Sequence, residues 1–361
     1  MTLRLNILYA VSALAVLASC SRELEADICT DQVPIAFGSD LPAETQVTRA
    51  AAAVGLEEVA DNFIVTGYKN SATDGWQDVM NSYRVCYVSD TEGSSVTNTA
   101  GWEYVGQGPD QVTKYWDYSA LDYRFMGYVP KSATGKIDYS GSISLRASGV
   151  VLTLSGVPRI EISQGGAMTT PDGVTVTEQD FPLFSRLWHG TAPRNEPVRM
   201  EFMKPYAKVC VYVMRADDVE ATAWTGITLT KAGDQFPEVG TISVLYPIAG
   251  NAESVSSSGM TSAELTFNDI AAGEIASPNV PYPLYPQYLL LPNPDGGSRY
   301  DFVCAGNKGI VDGALAKLQP GYCYTYIFKI TKPTETKSAV TDDGGNGRYE
   351  VVLSDVLQQP L

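Results

Sequence analysis

Histidine is almost missing from this sequence: His189 is the single one in 361 residues. Imidazole is the commonest proton shuttle near neutral pH, so its scarcity narrows general acid–base and triad chemistry. No serine stands in a Gly-x-Ser-x-Gly context, and there is no His-Glu-x-x-His. Phosphate-cradling GxxxxGK[ST] and GxGxxG loops are absent as well. Without a CxxC pair, zinc-ribbon and thioredoxin-like motifs lose their spacing. Positive charge is scarce, with 25 Lys and Arg against 41 Asp and Glu and a formal charge of −16. Phosphate backbones would repel such a surface, which excludes nucleic acid as a partner. Nor does any long stretch keep a 3.6-residue period; helical character is confined to Val311–Leu318 and to the alanines from Ala50.

What the chain does contain begins with a leader. Arg4 supplies a positive start and Leu5–Leu17 an apolar run too short for a comfortable membrane span. The run ends Leu17-Ala18-Ser19-Cys20, which resembles a bacterial lipobox. Cys20 is then expected to carry a covalent diacylglycerol and become the mature N-terminus, with no other cofactor. Several acyl chains hold a protein at a membrane where one does not. Five further cysteines follow, Cys29, Cys86, Cys210, Cys304 and Cys323, and an odd number argues against a complete disulfide framework. Cys86 and Cys210 lie in apolar strand patterns; Cys304 and Cys323 can pair if their strands are neighbours.

The 32 Gly, 21 Pro and 21 Tyr point to many short strands broken by turns. Val33, Ile35 and Phe37 alternate on one face of a first strand, and Gly38–Thr48 reads as an exposed loop. Strands follow at Asn62–Lys69, Tyr83–Ser89, Gly101–Gly106, Leu121–Val129, Gly149–Leu154 and Arg159–Ser163. After a proline-rich joint at Asp180–Pro197 come Val198–Phe202, Val209–Val213, Gly240–Tyr246, Leu284–Leu291 and Tyr300–Cys304. The clearest strand is Tyr322–Ile330, whose Tyr322, Tyr324, Tyr326, Phe328 and Ile330 share one face. Asp342–Gly347 forms a glycine-rich turn, and Val351 and Leu353 alternate in a last strand from Tyr349. The fold class is all-β, with two antiparallel sandwiches. The expected division is a leader 1–20, a segment 21–49, and domains at 50–190 and 191–361.

Chemistry-bearing residues are thinly spread. His189 sits at the joint without triad or metal partners, and the Asp342–Gly347 turn lacks the closing glutamate of an EF-hand. Five tryptophans, Trp76, Trp102, Trp116, Trp188 and Trp224, read as core or joint residues rather than as a binding platform. No catalytic or metal-binding constellation is found, so an enzyme is not expected.

One run carries more specific information. Lys114-Tyr115-Trp116-Asp117-Tyr118, continuing through Leu121-Asp122-Tyr123-Arg124-Phe125 to Val129-Pro130, resembles the hallmark of fimbrillin-family proteins of the Bacteroidota. Val198–Phe202 followed by Ala207–Val211, then Gln287–Pro292 and Leu318–Tyr326, are similar to that family's later strands in the same order. Met203-Lys204 replaces the family's frequent His, and the end Val356–Leu361 lacks its usual Trp. The resemblance implies a major or minor subunit-like lipoprotein of a type V pilus, with two transthyretin-like sandwiches. It further implies cleavage between Arg49 and Ala50, which removes the provisional strand of Val33, Ile35 and Phe37. A donor strand carrying Val351 and Leu353 from another fimbrial subunit would fill the groove. Outer-membrane localisation before processing, surface exposure in a fimbrium, adhesion and a host or bacterial surface receptor are its further implications. The alternative is a non-polymerising outer-membrane lipoprotein that binds glycan or protein through its loops.

Overall fold

The computed structural model describes residues 32–41, 55–88, 96–97, 101–146, 148–193, 196–231, 236–248, 250, 252–293, 299–312, 315–333 and 349–361. The expectations placed on Cys20, Cys29, Arg49, Ala50 and the 342–347 turn lie outside these residues.

The strands run in chain order as β1 (Phe37–Asp40), β2 (Asn62–Ser71), β3 (Gly75–Tyr87), β4 (Trp102–Glu103), β5 (Asp122–Val129) and β6 (Ser140–Arg146). Next are β7 (Gly149–Pro158), β8 (Ile160–Ile162), β9 (Met168–Thr169), β10 (Thr175–Val176), β11 (Leu183–Ser185) and β12 (Trp188–Gly190). The second half supplies β13 (Val198–Met203), β14 (Ala207–Arg215), β15 (Ile227–Lys231), β16 (Phe236–Pro247), β17 (Ser254–Ala263) and β18 (Leu265–Phe267). It ends with β19 (Tyr282–Pro283), β20 (Gln287–Leu290), β21 (Tyr300–Cys304), β22 (Asn307–Val311), β23 (Tyr322–Thr331) and β24 (Glu350–Pro360). Helical structure among the described residues is limited to 3-10 turns at Leu56–Glu58, Glu178–Asp180 and Ala272–Ile275.

The chain is an all-β protein, and its described residues form four sheets. The first is ordered β1-β13-β11-β5-β2-β3-β4, with β12 also on β5; the second is β17-β16-β7-β6. The third is β10-β9-β8-β20-β14-β23-β24, with β19 on β14, and the fourth is β18-β15-β21-β22. Most pairings are antiparallel, but β1 runs parallel to β13 and β14 parallel to β23.

Three apolar cores form among the described residues. The first lies within the first sheet and gathers Ile35, Phe37, Phe63, Trp102, Trp116, Phe125 and Phe202. The last lies between the third and fourth sheets, where Val209, Val211, Tyr326 and Phe328 meet Leu229 and Phe302. The middle core joins Met126, Phe184 and Tyr206 to Leu152, Leu154, Ile242 and Val244 of the second sheet. Alternation in the sequence sets these faces, because a strand's odd and even residues point to opposite sides.

The division expected at 190/191 does not separate the sheets. β13 joins β11 in the first sheet, β16 of the second half pairs along β7 of the first, and β8 joins β20. A middle core shared by both halves is the physical reason. Val311–Leu318, expected to be helical, instead holds the end of β22 and an antiparallel bridge from Leu318 to Asn293. Its apolar spacing reflects separate inward anchors rather than one helical face.

Candidate functional site

The N-terminal segment enters the first core by pairing on two sides. Ile35 donates its N–H to the Lys114 carbonyl at 2.7 Å, and Trp116 donates to Val33 at 3.0 Å, around an antiparallel Pro34–Tyr115 bridge. From Ala36 onward the chain switches partner. Val198 donates to the Ala36 carbonyl at 2.7 Å, and Phe37–Asp40 continue in parallel register with Val198–Glu201. The buried Tyr104 hydroxyl sits at the switch, accepting from Lys114 N–H at 2.9 Å and donating to the Ile35 carbonyl at 3.0 Å. Burial pushes the Tyr104 phenol well above its ordinary pKa, so it stays a donor at every physiological pH.

Val33, Ile35, Phe37, Ser39 and Leu41 all point into this core. Ile35 and Phe37 are fully buried, Leu41 nearly so, and Val33 packs at the mouth. The Phe37 ring meets Phe125 at 5.6 Å, Tyr104 at 5.9 Å and Phe63 at 6.1 Å between centroids, all edge-on. Ser39 departs from the apolar pattern, its hydroxyl being buried with no hydrogen-bond partner. Within its sheet β1 is an edge strand paired with β13, and residues 33–35 pair on the opposite side with Lys114–Trp116, so the segment fills a slot between the two.

The structure thus places the expected strand residues Val33 and Ile35 against the Lys114–Trp116 run, 79 or more residues away in sequence, and Phe37 beside Val198 of β13. Trp116 stacks edge-on against Tyr123 at 4.7 Å and lies 6.2 Å from Trp188. Trp102 and Trp224 are core residues of different sandwiches, and Trp76 lies under the Arg124 guanidinium at 4.9 Å. The tryptophans are therefore not brought together as a platform. His189 is exposed on β12, opposite Arg124. Among the described residues no group of three His, Cys, Asp or Glu side chains converges to hold a metal ion.

Asp117 secures the turn after Trp116. It accepts from Lys69 Nζ at 2.8 Å and from the Ser119 hydroxyl at 2.6 Å and N–H at 3.0 Å. The Lys69 hydrogen bond foremost, then Ser119, holds its carboxyl at about 2, below the ordinary 3.8. A depressed carboxylate contributes stability above its unfolded pKa and loses it as pH falls through the folded value. Both partners are well solvated, so Asp117→Asn is expected to cost under about 1 kcal/mol at neutral pH. That difference should vanish as urea-unfolding midpoints are compared from pH 4 down toward about 2.

The C-terminal strand β24 forms the far edge of the third sheet, antiparallel to β23 over Tyr322–Thr331. Its hold on the core is light: Val351 is buried, Leu353 and Val356 are partly so, while Val352 and Leu357 are more than two-fifths exposed. The strand is longer than the alternation of Val351 and Leu353 indicates, because an irregularity between Ile327 and Phe328 lets it continue past Ser354. Val351 reaches the core over Gly309, where a Cβ would lie 2.7 Å from Val351 Cγ1 and 3.3 Å from Phe328 Cδ1. Overpacking of this kind costs roughly 1–3 kcal/mol. Gly309→Val is therefore expected to unseat Val351 and speed amide exchange at residues 350–353 by about tenfold or more, by exchange mass spectrometry. Unchanged exchange there would show that Val351 does not anchor the strand.

Cys304 and Cys323 are not neighbours: Cys304 is buried on β21 of the fourth sheet and Cys323 lies on β23 of the third. The partner of Cys323 is instead Cys210 on β14, with sulfurs 3.8 Å apart.

No protein-family model and no curated protein matches the sequence. Solved structures similar over most of the chain include a proposed cell adhesion protein from Bacteroides uniformis, 14% identical, covering 91% of this chain and 97% of its own at a TM-score of 0.38. Another from Bacteroides ovatus is 14% identical, covers 92% and 98%, and scores 0.39. The tip fimbrial protein Mfa3 from Porphyromonas gingivalis is 8% identical, covers 92% and 100%, and scores 0.36. Identities and scores this low leave function to be argued from the geometry of the chain itself.

Proposed function

We propose that the chain is a structural subunit of a cell-surface fimbrium that polymerises by strand exchange and contributes to adhesion. Cys20 would anchor the exported precursor to the outer membrane through its diacylglycerol, and cleavage after Arg49 would free the N-terminal segment. The observation that supports this most is an edge strand filling the centre of a core. Residues 33–41 supply the first sandwich with central side chains, and their covalent continuation to the rest of the fold runs through residues 42–54.

Magnitudes bear on the order of events. Burying Ile35, Phe37 and Leu41 contributes roughly 5–9 kcal/mol, so a nick after Arg49 leaves the segment seated. Cutting does remove the covalent tether, and with it the high effective concentration that favours rebinding. A displacing strand must restore both the ladder and the side-chain pockets. The tail has the matching alternation: Tyr349, Val351, Leu353, Asp355 and Leu357 correspond to Val33, Ile35, Phe37, Ser39 and Leu41. Both series place their polar residue fourth. The tail's own seat, with one fully buried apolar side chain, is the weaker of the two.

N-terminal sequencing of surface-exposed protein is the direct test. Ala50 as the first residue, and loss of multimers in Arg49→Ala, are the expected results. An acylated Cys20 on mature surface protein, with multimers unaffected by Arg49→Ala, would replace this reading with the non-polymerising lipoprotein that binds through its loops.

A further inference from the structure

On the third sheet the core-facing residues of β14 and β23 are Val209, Val211 and Val213 opposite Tyr324, Tyr326 and Phe328. Lys208, Cys210, Cys323 and Thr325 alternate with these and so occupy the other face. There the Cys210 and Cys323 sulfurs lie 3.8 Å apart. The pairing is diagonal, because Cys210 is in register with Thr325 and Cys323 with Lys208. Diagonal neighbours in a sheet stand roughly 7 Å apart, whereas a disulfide needs Cβ atoms about 4 Å apart. A direct S–S bond would therefore require the two central strands to slide.

The spacing suits a different bond. Two thiolates on a tetrahedral centre with metal–sulfur distances of about 2.3 Å subtend about 3.8 Å between sulfurs. We propose that Cys210 and Cys323 form an open, two-thiolate site for a soft divalent d10 cation, with Zn2+ as the physiological candidate. Cys210 is buried and Cys323 half-buried, so the remaining coordination positions would be taken by water or an incoming donor. No third His, Cys, Asp or Glu joins them among the described residues, which makes this a binding site of modest affinity rather than a closed structural one. The two Sγ atoms already lie within hydrogen-bond distance of one another, so the ligands need little rearrangement to share a cation, whose binding would release thiol protons to solvent. The strongly acidic chain adds long-range attraction for cations.

The test uses the full chain, reduced and freed of metal, titrated with Cd2+ while sulfur-to-metal charge-transfer absorption is followed in the ultraviolet. A band saturating at one equivalent, displaced by excess Zn2+, is expected in the wild type, Cys29→Ser and Cys86→Ser, and should be lost in Cys323→Ser. A band that survives Cys323→Ser overturns the proposal. Cys210 is buried, so a loss of signal in Cys210→Ser would not separate misfolding from a lost ligand, and X-ray absorption on the Zn2+-loaded wild type provides an independent measurement. Two sulfur neighbours are required; a shell of nitrogen and oxygen alone, or a Cys210–Cys323 disulfide in protein isolated without reductant, also overturns it.

Discussion

Phe37→Ala is expected to lower the stability of the first sandwich by about 3–5 kcal/mol, the range for truncating a fully buried aromatic. Phe37 touches rings from three separate elements, Phe63 of β2, Phe125 of β5 and Tyr104 after β4. Truncation forfeits those edge-on contacts and leaves a hole that this aromatic cluster cannot easily close. The groove residues should respond locally, because the third and fourth sheets share no core with Phe37. Urea unfolding followed by tryptophan fluorescence, together with amide exchange mapped to β13 and β5, would measure both the size and the place of the loss. A change under about 1 kcal/mol, or exchange rising equally in β23, would mean that residues 33–41 are not an integral part of the first core. The substitution also bears on assembly. If the segment is the provisional occupant, weakening its seat by this amount should make its release after cleavage roughly a hundredfold or more easier.

How much of this was legible in the sequence differs from element to element. Tyr322–Thr331 is recovered almost to the residue, since five large side chains at period two leave one reading for its face. β5 and β14 are recovered for the same reason. β17, Ser-Val-Ser-Ser-Ser-Gly-Met-Thr-Ser-Ala, is missed: it is a polar edge strand with no inward row, and long pairing with β16 holds it. β6 is missed on similar grounds. In the candidate site, Val33, Ile35 and Phe37 announce an inward face, but nothing local says that the strand runs parallel to β13 or rests against Lys114–Trp116. Those contacts bridge 79 and more residues, and alternation carries no information about which partner a strand takes. The Cys210–Cys323 neighbourhood is hidden likewise, because the motif is assembled across a parallel pair rather than along the chain.

Deleting residues 349–361 is expected to abolish multimers while leaving a protein that still accepts a donor. The tail contributes only Val351, and in part Leu353 and Val356, to the core it rests on, so the sandwich beneath should survive its loss with modest destabilisation. In a vacated groove the same tail would bury Val351 and Leu353 at the places held by Ile35 and Phe37, worth roughly 3–6 kcal/mol together. That is a hundredfold or more in an association constant, before the ladder hydrogen bonds are counted. Under the proposed strand exchange, a chain without the tail has an acceptor and no donor. Mixed in equal amount with cleaved wild type, it should shorten the multimer ladder on denaturing gels by occupying one end of each chain. A synthetic peptide of residues 349–361 should bind the cleaved, tail-less protein, and the Leu353→Asp peptide should bind about a hundredfold more weakly, since a carboxylate would be buried where Phe37 sits. A full-length ladder from tail-less protein alone would transfer the donor role to another segment.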